Sequence, residues 1–158
     1  MALLTNKKEL KVDDYETPLS AWKPLAPYIP KDKTIWEAFY GSGASGDALR
    51  SLGFKVLHED IDFFKVNLGD IVVSNPPFSQ KWPILKRLKE LDKPFILLLP
   101  ASVLGTKQLS TLFPDIQVLV PKGRISFIKN GEQTKNVWFA SFFYAWKMNL
   151  PKDLLFLP

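Results

Sequence analysis

The chain has 158 residues, enough for one domain with a real core, and its 46% hydrophobic and 23% charged residues are those of an ordinary globular protein. It contains no cysteine and a single histidine, His58, which excludes disulfides, thiol nucleophiles, zinc–thiolate sites and multi-histidine metal sites. A formal net charge of +5 suits a polyanionic partner without specifying one.

The first dozen residues show no period and read as a loose arm, without the basic-then-apolar order of a secretory signal. Thr17-Pro18 marks a helix start, with Thr17 as N-cap, Leu19, Trp22 and Leu25 as the apolar face, and Pro24 shortening or bending the helix. Ile35 to Phe39 reads as a strand ending in the glycine-rich turn Gly41-Ser42-Gly43-Ala44-Ser45-Gly46. A helix is expected over Asp47–Leu52, stopped by Gly53, and then a strand over Phe54–His58 that runs into Glu59-Asp60-Ile61-Asp62. Asp70 to Ser74 is the third strand, followed directly by Asn75-Pro76-Pro77-Phe78.

Ser79 caps the next expected helix, whose apolar positions Trp82, Leu85, Leu88 and Leu91 recur every three residues. Phe95 to Leu99 has the continuous hydrophobicity of a buried strand and is far too short to span a membrane. A short helix over Lys107–Leu112 and a strand over Ile116–Val120 follow. Arg124–Ile128 and Val137–Ala145 flank Asn130-Gly131 and are expected to pair as antiparallel strands. The whole reads as one α/β domain over residues 1–158: a doubly wound, Rossmann-like, mostly parallel sheet with an antiparallel C-terminal edge hairpin.

Three segments carry chemistry. Glu37 ends a strand ahead of Gly41 and Gly43, whose missing side chains let a ligand approach the backbone. No Gly-Lys-Ser/Thr follows, and the glycine spacing is read as an imperfect dinucleotide loop, so neither a phosphate-binding loop nor a nicotinamide cofactor is favoured. Asp60, at the end of the second strand, is placed to accept both hydroxyl hydrogens of a ribose. In Asn75-Pro76-Pro77-Phe78 the prolines stiffen the loop and remove two amide donors, leaving carbonyl acceptors beside the Asn75 side chain and an aromatic ring. Two acceptors and a flat surface suit the two hydrogens of an exocyclic amine on a ring.

Asn75-Pro76-Pro77-Phe78 resembles the Asp/Asn-Pro-Pro-Phe/Tyr/Trp signature of the N6-adenine DNA methyltransferases, and the chain is most similar to their small phage and viral forms. That resemblance implies a class I methyltransferase fold, S-adenosylmethionine as cofactor, and methyl transfer to the N6 amine of adenine in DNA. It implies that Asn75 and the Pro76 carbonyl accept the amine hydrogens, with Pro77 and Phe78 completing the loop and Phe78 stacking on an extruded base. Glu37, Phe39, Gly41 and Gly43 then match the cofactor loop, Asp60 the ribose acid, and Asp62-Phe63-Phe64 the element that reads the cofactor's adenine. Tyr15 and Thr17, within Asp14-Tyr15-Glu16-Thr17-Pro18, match the element that closes over the methionine end. The interval from Asp60 to Asp70 is shorter than the usual helix and strand, and no separate target-recognition domain has room. Sequence choice then falls to loops, a partner subunit or a homo-oligomer.

Lys81, Lys86, Arg87, Lys122, Arg124, Lys129 and Lys135 are the candidate phosphate contacts, with Lys81 and Arg124 preferred. Trp138, Phe142, Phe143, Tyr144 and Trp146 read as core rather than a base-stacking surface, and His58 as structural. Competing readings are adenine in RNA, a protein glutamine, a non-catalytic binding module, and a metal-dependent hydrolase using Glu59, Asp60 and Asp62. No metal site is expected, and the cytoplasm of a bacterium or infected cell is the default compartment.

Overall fold

The computed structural model describes residues 15–133 and 139–158. The expected loose arm, Asp14, Lys135, Val137 and Trp138 lie outside the described residues.

Strands β1 (Thr34–Trp36), β2 (Lys55–Leu57), β3 (Ile71–Ser74), β4 (Phe95–Pro100), β5 (Gln117–Val120), β8 (Ser141–Trp146) and β9 (Leu154–Phe156) form one seven-stranded sheet, ordered β2-β1-β3-β4-β8-β5-β9. Neighbours pair in parallel except where β8 enters, antiparallel to both β4 and β5. All six residues of β4 are buried, as a strand with neighbours on both edges and helices nearby requires. The α/β sheet is therefore mixed and mostly parallel.

Four short helices accompany it: α1 (Leu19–Trp22), α2 (Ala44–Ser51), α3 (Lys81–Glu90) and α4 (Lys107–Leu112). Phe143 and Trp146, an odd number of residues apart on β8, point to opposite faces. Trp22 of α1 packs on Phe143 at 5.9 Å, while Phe113, just after α4, meets Trp146 at 5.0 Å. Lys89 of α3 lies over the same Trp146 ring. Both faces are thus covered, and Phe143, Tyr144 and Trp146 belong to the core as expected. Among the described residues, no helix is long and apolar enough to cross a membrane.

Several boundaries and two strand assignments differ from expectation. Thr17 does not cap α1: Pro18 occupies that position, with no side-chain cap bond, and the Thr17 hydroxyl is buried without a partner. Ser79 falls inside a 3-10 turn, Phe78–Gln80, and Gln80 precedes α3 without a side-chain cap bond. The antiparallel edge hairpin is not at the sheet edge. Around Asn130-Gly131 a separate two-stranded ribbon forms from β6 (Ile128–Lys129) and β7 (Glu132–Gln133), its turn residues both at positive φ. β8 is internal, and the edge strand on that side is β9, which the chain reaches from Leu150. β8 is apolar on both faces, which is what an interior position needs.

The chain crosses from β1 to β2 on one side of β1 and returns as β3 on the other. That reversal opens a crevice beyond the carboxyl ends of β1 and β3, the usual ligand position in such sheets. The segment Ile61–Asp70 contains neither helix nor strand, so β2 is the sheet edge and the short interval read from the sequence holds.

Candidate active site

A cleft of about 770 Å³ occupies the crevice. Its walls follow directly from the strand ends: Ala38 to Ser42 after β1, Asp60 to Phe64 after β2, and Asn75 and Pro77 after β3, closed by Tyr15 to Thr17. Tyr15, Thr17, Phe39, Gly41, Asp60, Asp62, Phe63, Asn75 and Pro77 are brought together there as lining residues. Glu37, Gly43, Pro76 and Phe78 support the walls from behind, and Lys81 and Arg124 lie outside the lining.

The chemistry end is built from buried atoms. Asn75 donates through Nδ2 to the Tyr15 carbonyl at 3.2 Å, while its Oδ1 is buried with no hydrogen-bond partner among the described residues. Pro76 is buried, and Phe78 is only 3% exposed, its ring edge-on to Phe139 at 5.5 Å. Phe78 therefore anchors the loop and offers no free face in this conformation. Lys81 reaches back to the Phe78 carbonyl at 3.3 Å.

Glu37 is 1% exposed and accepts from the hydroxyl of Ser74, the residue before Asn75, and from the Phe39 amide at 3.1 Å. It ties the end of β1 to the end of β3. Burial raises its pKa to about 8 against the opposing hydrogen bonds, so it is mostly protonated at neutral pH. A neutral carboxyl between two strand ends is a brace for the loops rather than a ligand contact.

The three glycines each answer a different constraint. Gly41, at φ 55, has open space where a side chain would be and lines the cleft. Gly43, at φ 90, precedes α2 against the Tyr40 ring. At Gly46 an added Cβ would overlap His58 Nδ1, so α2 packs directly on that ring. His58 is buried, bonds the Phe39 carbonyl at 3.2 Å and has its pKa lowered by burial, which makes it a structural neighbour of the cofactor-loop candidate. Gly41, Gly43 and Gly46 do stand at the dinucleotide-loop spacing, a correction to the reading above.

The charge of the lining bears on the ligand as well. It contains the carboxylates Glu16, Asp60 and Asp62 and, among the described residues, no lysine or arginine. A pyrophosphate would enter an acidic cleft, whereas a cationic ligand gains from it.

Asp60 is exposed and makes no hydrogen bond or ion pair among the described residues. Asp62 accepts from the Phe64 amide at 2.9 Å, a local turn that shapes the loop. Phe63 is buried against Trp36 and Phe39, while Ile61 and Phe64 stand about 40% exposed on the lining. Phe64 lines the cleft as part of the expected Asp62-Phe63-Phe64 element, whereas Glu16, Tyr40 and Ile61 were not singled out individually from the sequence; large apolar residues flanking the acidic cluster were the available signal. Among the described residues no group of three His, Asp or Glu is placed to hold a metal ion.

The candidate phosphate contacts separate. Arg87 is committed to the carbonyls of Phe63 and Val66, at 3.3 and 3.1 Å, and braces the Asp60–Asp70 loop. Lys129 lies 5.0 Å over the Tyr15 ring. Lys122 and Arg124 line a second cavity of about 320 Å³ that reaches Pro18, the residue after the Tyr15–Thr17 segment. No protein-family model matches the chain, and no curated protein matches it either.

Proposed function

We propose that the protein transfers a methyl group from S-adenosylmethionine to the N6 amine of adenine in nucleic acid, with DNA the preferred substrate. The observation that carries this reading is the Asn75 amide: its donor end is occupied by Tyr15, and its buried acceptor end has no partner on the cleft wall. A buried acceptor without a donor costs about 1–3 kcal/mol, and on a cleft wall a ligand donor can recover it.

The same cleft supports the cofactor reading. The acidic lining suits its net positive charge, Asp60, without a partner among the described residues, is available to the ribose hydroxyls, and the exposed Ile61 and Phe64 flank space for a flat base. Thr17, with its own unpartnered hydroxyl, and Tyr15 and Glu16 close the other side. When bound, S-adenosylmethionine supplies a methyl group already activated on a sulfonium.

The residues of the chain then have a positioning task. Asn75 Oδ1 accepts a hydrogen bond from the amine, and the Pro76 carbonyl, which lies behind the wall, would turn toward the cleft to accept the other. The nitrogen lone pair is drawn out of conjugation, and the methylated nitrogen then loses one proton to solvent. Asn75, a preorganised acceptor, needs no reorganisation as charge develops on the amine. The target adenine must leave the stack of a duplex or arrive single-stranded. Phosphates fall to Lys122 and Arg124, the basic residues of the neighbouring cavity.

Calorimetric titration with S-adenosylmethionine, followed by labelled cofactor with DNA and RNA, tests the reading. Binding, and label recovered as N6-methyladenine, supports it and identifies the nucleic acid. Absence of cofactor binding removes it and leaves a binding module with this fold.

A further inference from the structure

Asparagine carries a donor and an acceptor of the same shape on one side chain, so an unguided amide can present either end to a ligand. At position 75 the guide is one peptide group. The peptide joining Tyr15 and Glu16 accepts from Asn75 Nδ2 through its carbonyl, at 3.2 Å, and donates through its N–H to the Ile128 carbonyl, at 2.7 Å. A trans peptide is a rigid plane with N–H and C=O opposed, so fixing one end aims the other. The Ile128 amide returns a bond to the Glu16 carbonyl at 2.8 Å, which holds the register.

Residue 127 secures both ends of the tetrapeptide. Phe127, 1% exposed, meets the Tyr15 ring at 5.9 Å and stacks on Phe139 at 5.9 Å and 29°. Phe139 in turn meets Phe78 edge-on at 5.5 Å. The circuit Asn75–Tyr15–Phe127–Phe139–Phe78 closes around Asn75-Pro76-Pro77-Phe78 from outside the cleft. Phe127 and Phe139 are not lining residues of that cleft.

We infer that Phe127 is a positioning residue: by seating the Tyr15–Glu16 peptide it keeps Asn75 Oδ1, rather than Nδ2, free for the target amine. The inference rests on the reading of Asn75 as the amine's acceptor. Loss of the Phe127 ring frees the peptide to tilt and the amide to turn, which opposes donor to donor at the reacting nitrogen. Cofactor contacts on the Gly41 and Asp60 side are untouched.

The test is Phe127→Leu, which retains apolar volume, in the wild-type and Asn75→Asp backgrounds. A carboxylate presents an acceptor whichever way it turns and has no donor for the Tyr15 carbonyl, so in Asn75→Asp the guiding bond is already absent and the orientation it sets no longer matters. Phe127→Leu is expected to lower kcat about tenfold or more in the wild-type background, with the S-adenosylmethionine Kd unchanged, and to have little effect in the Asn75→Asp background. Solvent exchange of the Asn75 side-chain amide protons, followed by NMR, should accelerate in Phe127→Leu without added cofactor. Equal losses of kcat in the two backgrounds, or unchanged amide exchange, would overturn the inference. If the wild-type protein transfers no methyl group, the proposed function fails, and the exchange measurement alone decides whether Phe127 positions Asn75.

Discussion

At one end of the cleft, Asn75 hangs from a pinned peptide, Glu37 is sealed between two strands, and Phe78 is packed edge-on behind the loop. At the other end, Asp60, Ile61 and Phe64 stand exposed, on a loop anchored by the buried Phe63 ring and by backbone bonds to Asp62 and Arg87. The first end is largely determined before any ligand arrives, with Asn75 Oδ1 left for the ligand to satisfy. The second leaves whole side chains to be completed by what binds. A methyl-transfer site asks for this division, because misplacement of a reacting atom costs far more than looseness in a recognition contact.

The sharpest way to break the comparison is Asn75→Ala, which removes the acceptor without disturbing the exposed loop. The expected outcome is a fall in kcat of about 100-fold or more, the scale for losing one preorganised hydrogen-bonding group, with cofactor affinity retained by calorimetry. A parallel loss of cofactor affinity would mean that the two ends are not separable.

Glu37 tests whether the determined end is sensitive to pH. Its pKa rises from 4.5 in the unfolded chain to about 8 in the fold. The folded state therefore holds a proton that the unfolded state releases between those values. Stability attached to this proton is full below about pH 4.5 and is lost as pH rises through about 8, at up to about 1.4 kcal/mol per pH unit. Glu37→Gln keeps the shape and the acceptor but cannot ionise. Denaturant melts from pH 5 to 8 should show a decline in the wild-type protein that is largely flattened in the variant. Identical slopes would place the pH dependence elsewhere.

Local chemistry was legible in the sequence where it is written in adjacent residues. The tetrapeptide, the glycine turn and Asp60 were found because each follows a strand that its own hydrophobicity announces, and a parallel sheet delivers strand ends to one crevice. Thr17 was misread as a cap because the Thr-Pro pair signals a helix start regardless of where the hydroxyl turns. The interior place of β8 was not legible, since insertion between β4 and β5 is decided by pairing across more than twenty residues. The same holds for the Tyr15–Phe127–Phe139 circuit, whose members look like unrelated core aromatics until the fold joins them. Gly46 was seen only as part of a turn, and its packing against His58 depends on where β2 ends.

Gly46→Ala puts that packing to use. An added Cβ would overlap the His58 ring, which is buried and bonded to Phe39, so something in the loop must shift. Overpacking of this kind costs about 1–3 kcal/mol. The melting midpoint should fall, and cofactor affinity should weaken with it, because the displaced ring and the Phe39 wall are joined. A variant as stable as wild type would show that the cofactor side has slack that the Asn75 side lacks.

Asp60→Ala should have the smallest effect, and it acts on the exposed end alone. Asp60 makes no partner among the described residues, so its loss leaves the fold unperturbed and the melting temperature close to wild type. If it accepts the ribose hydroxyls, its removal weakens S-adenosylmethionine binding by about tenfold, the lower scale for a hydrogen bond to a charged group. At saturating cofactor kcat should then recover nearly fully, since the contact is equally good before and during transfer. A kcat defect that saturation does not relieve would mean that the exposed end also helps aim the methyl group, and that the division between the two ends is incomplete.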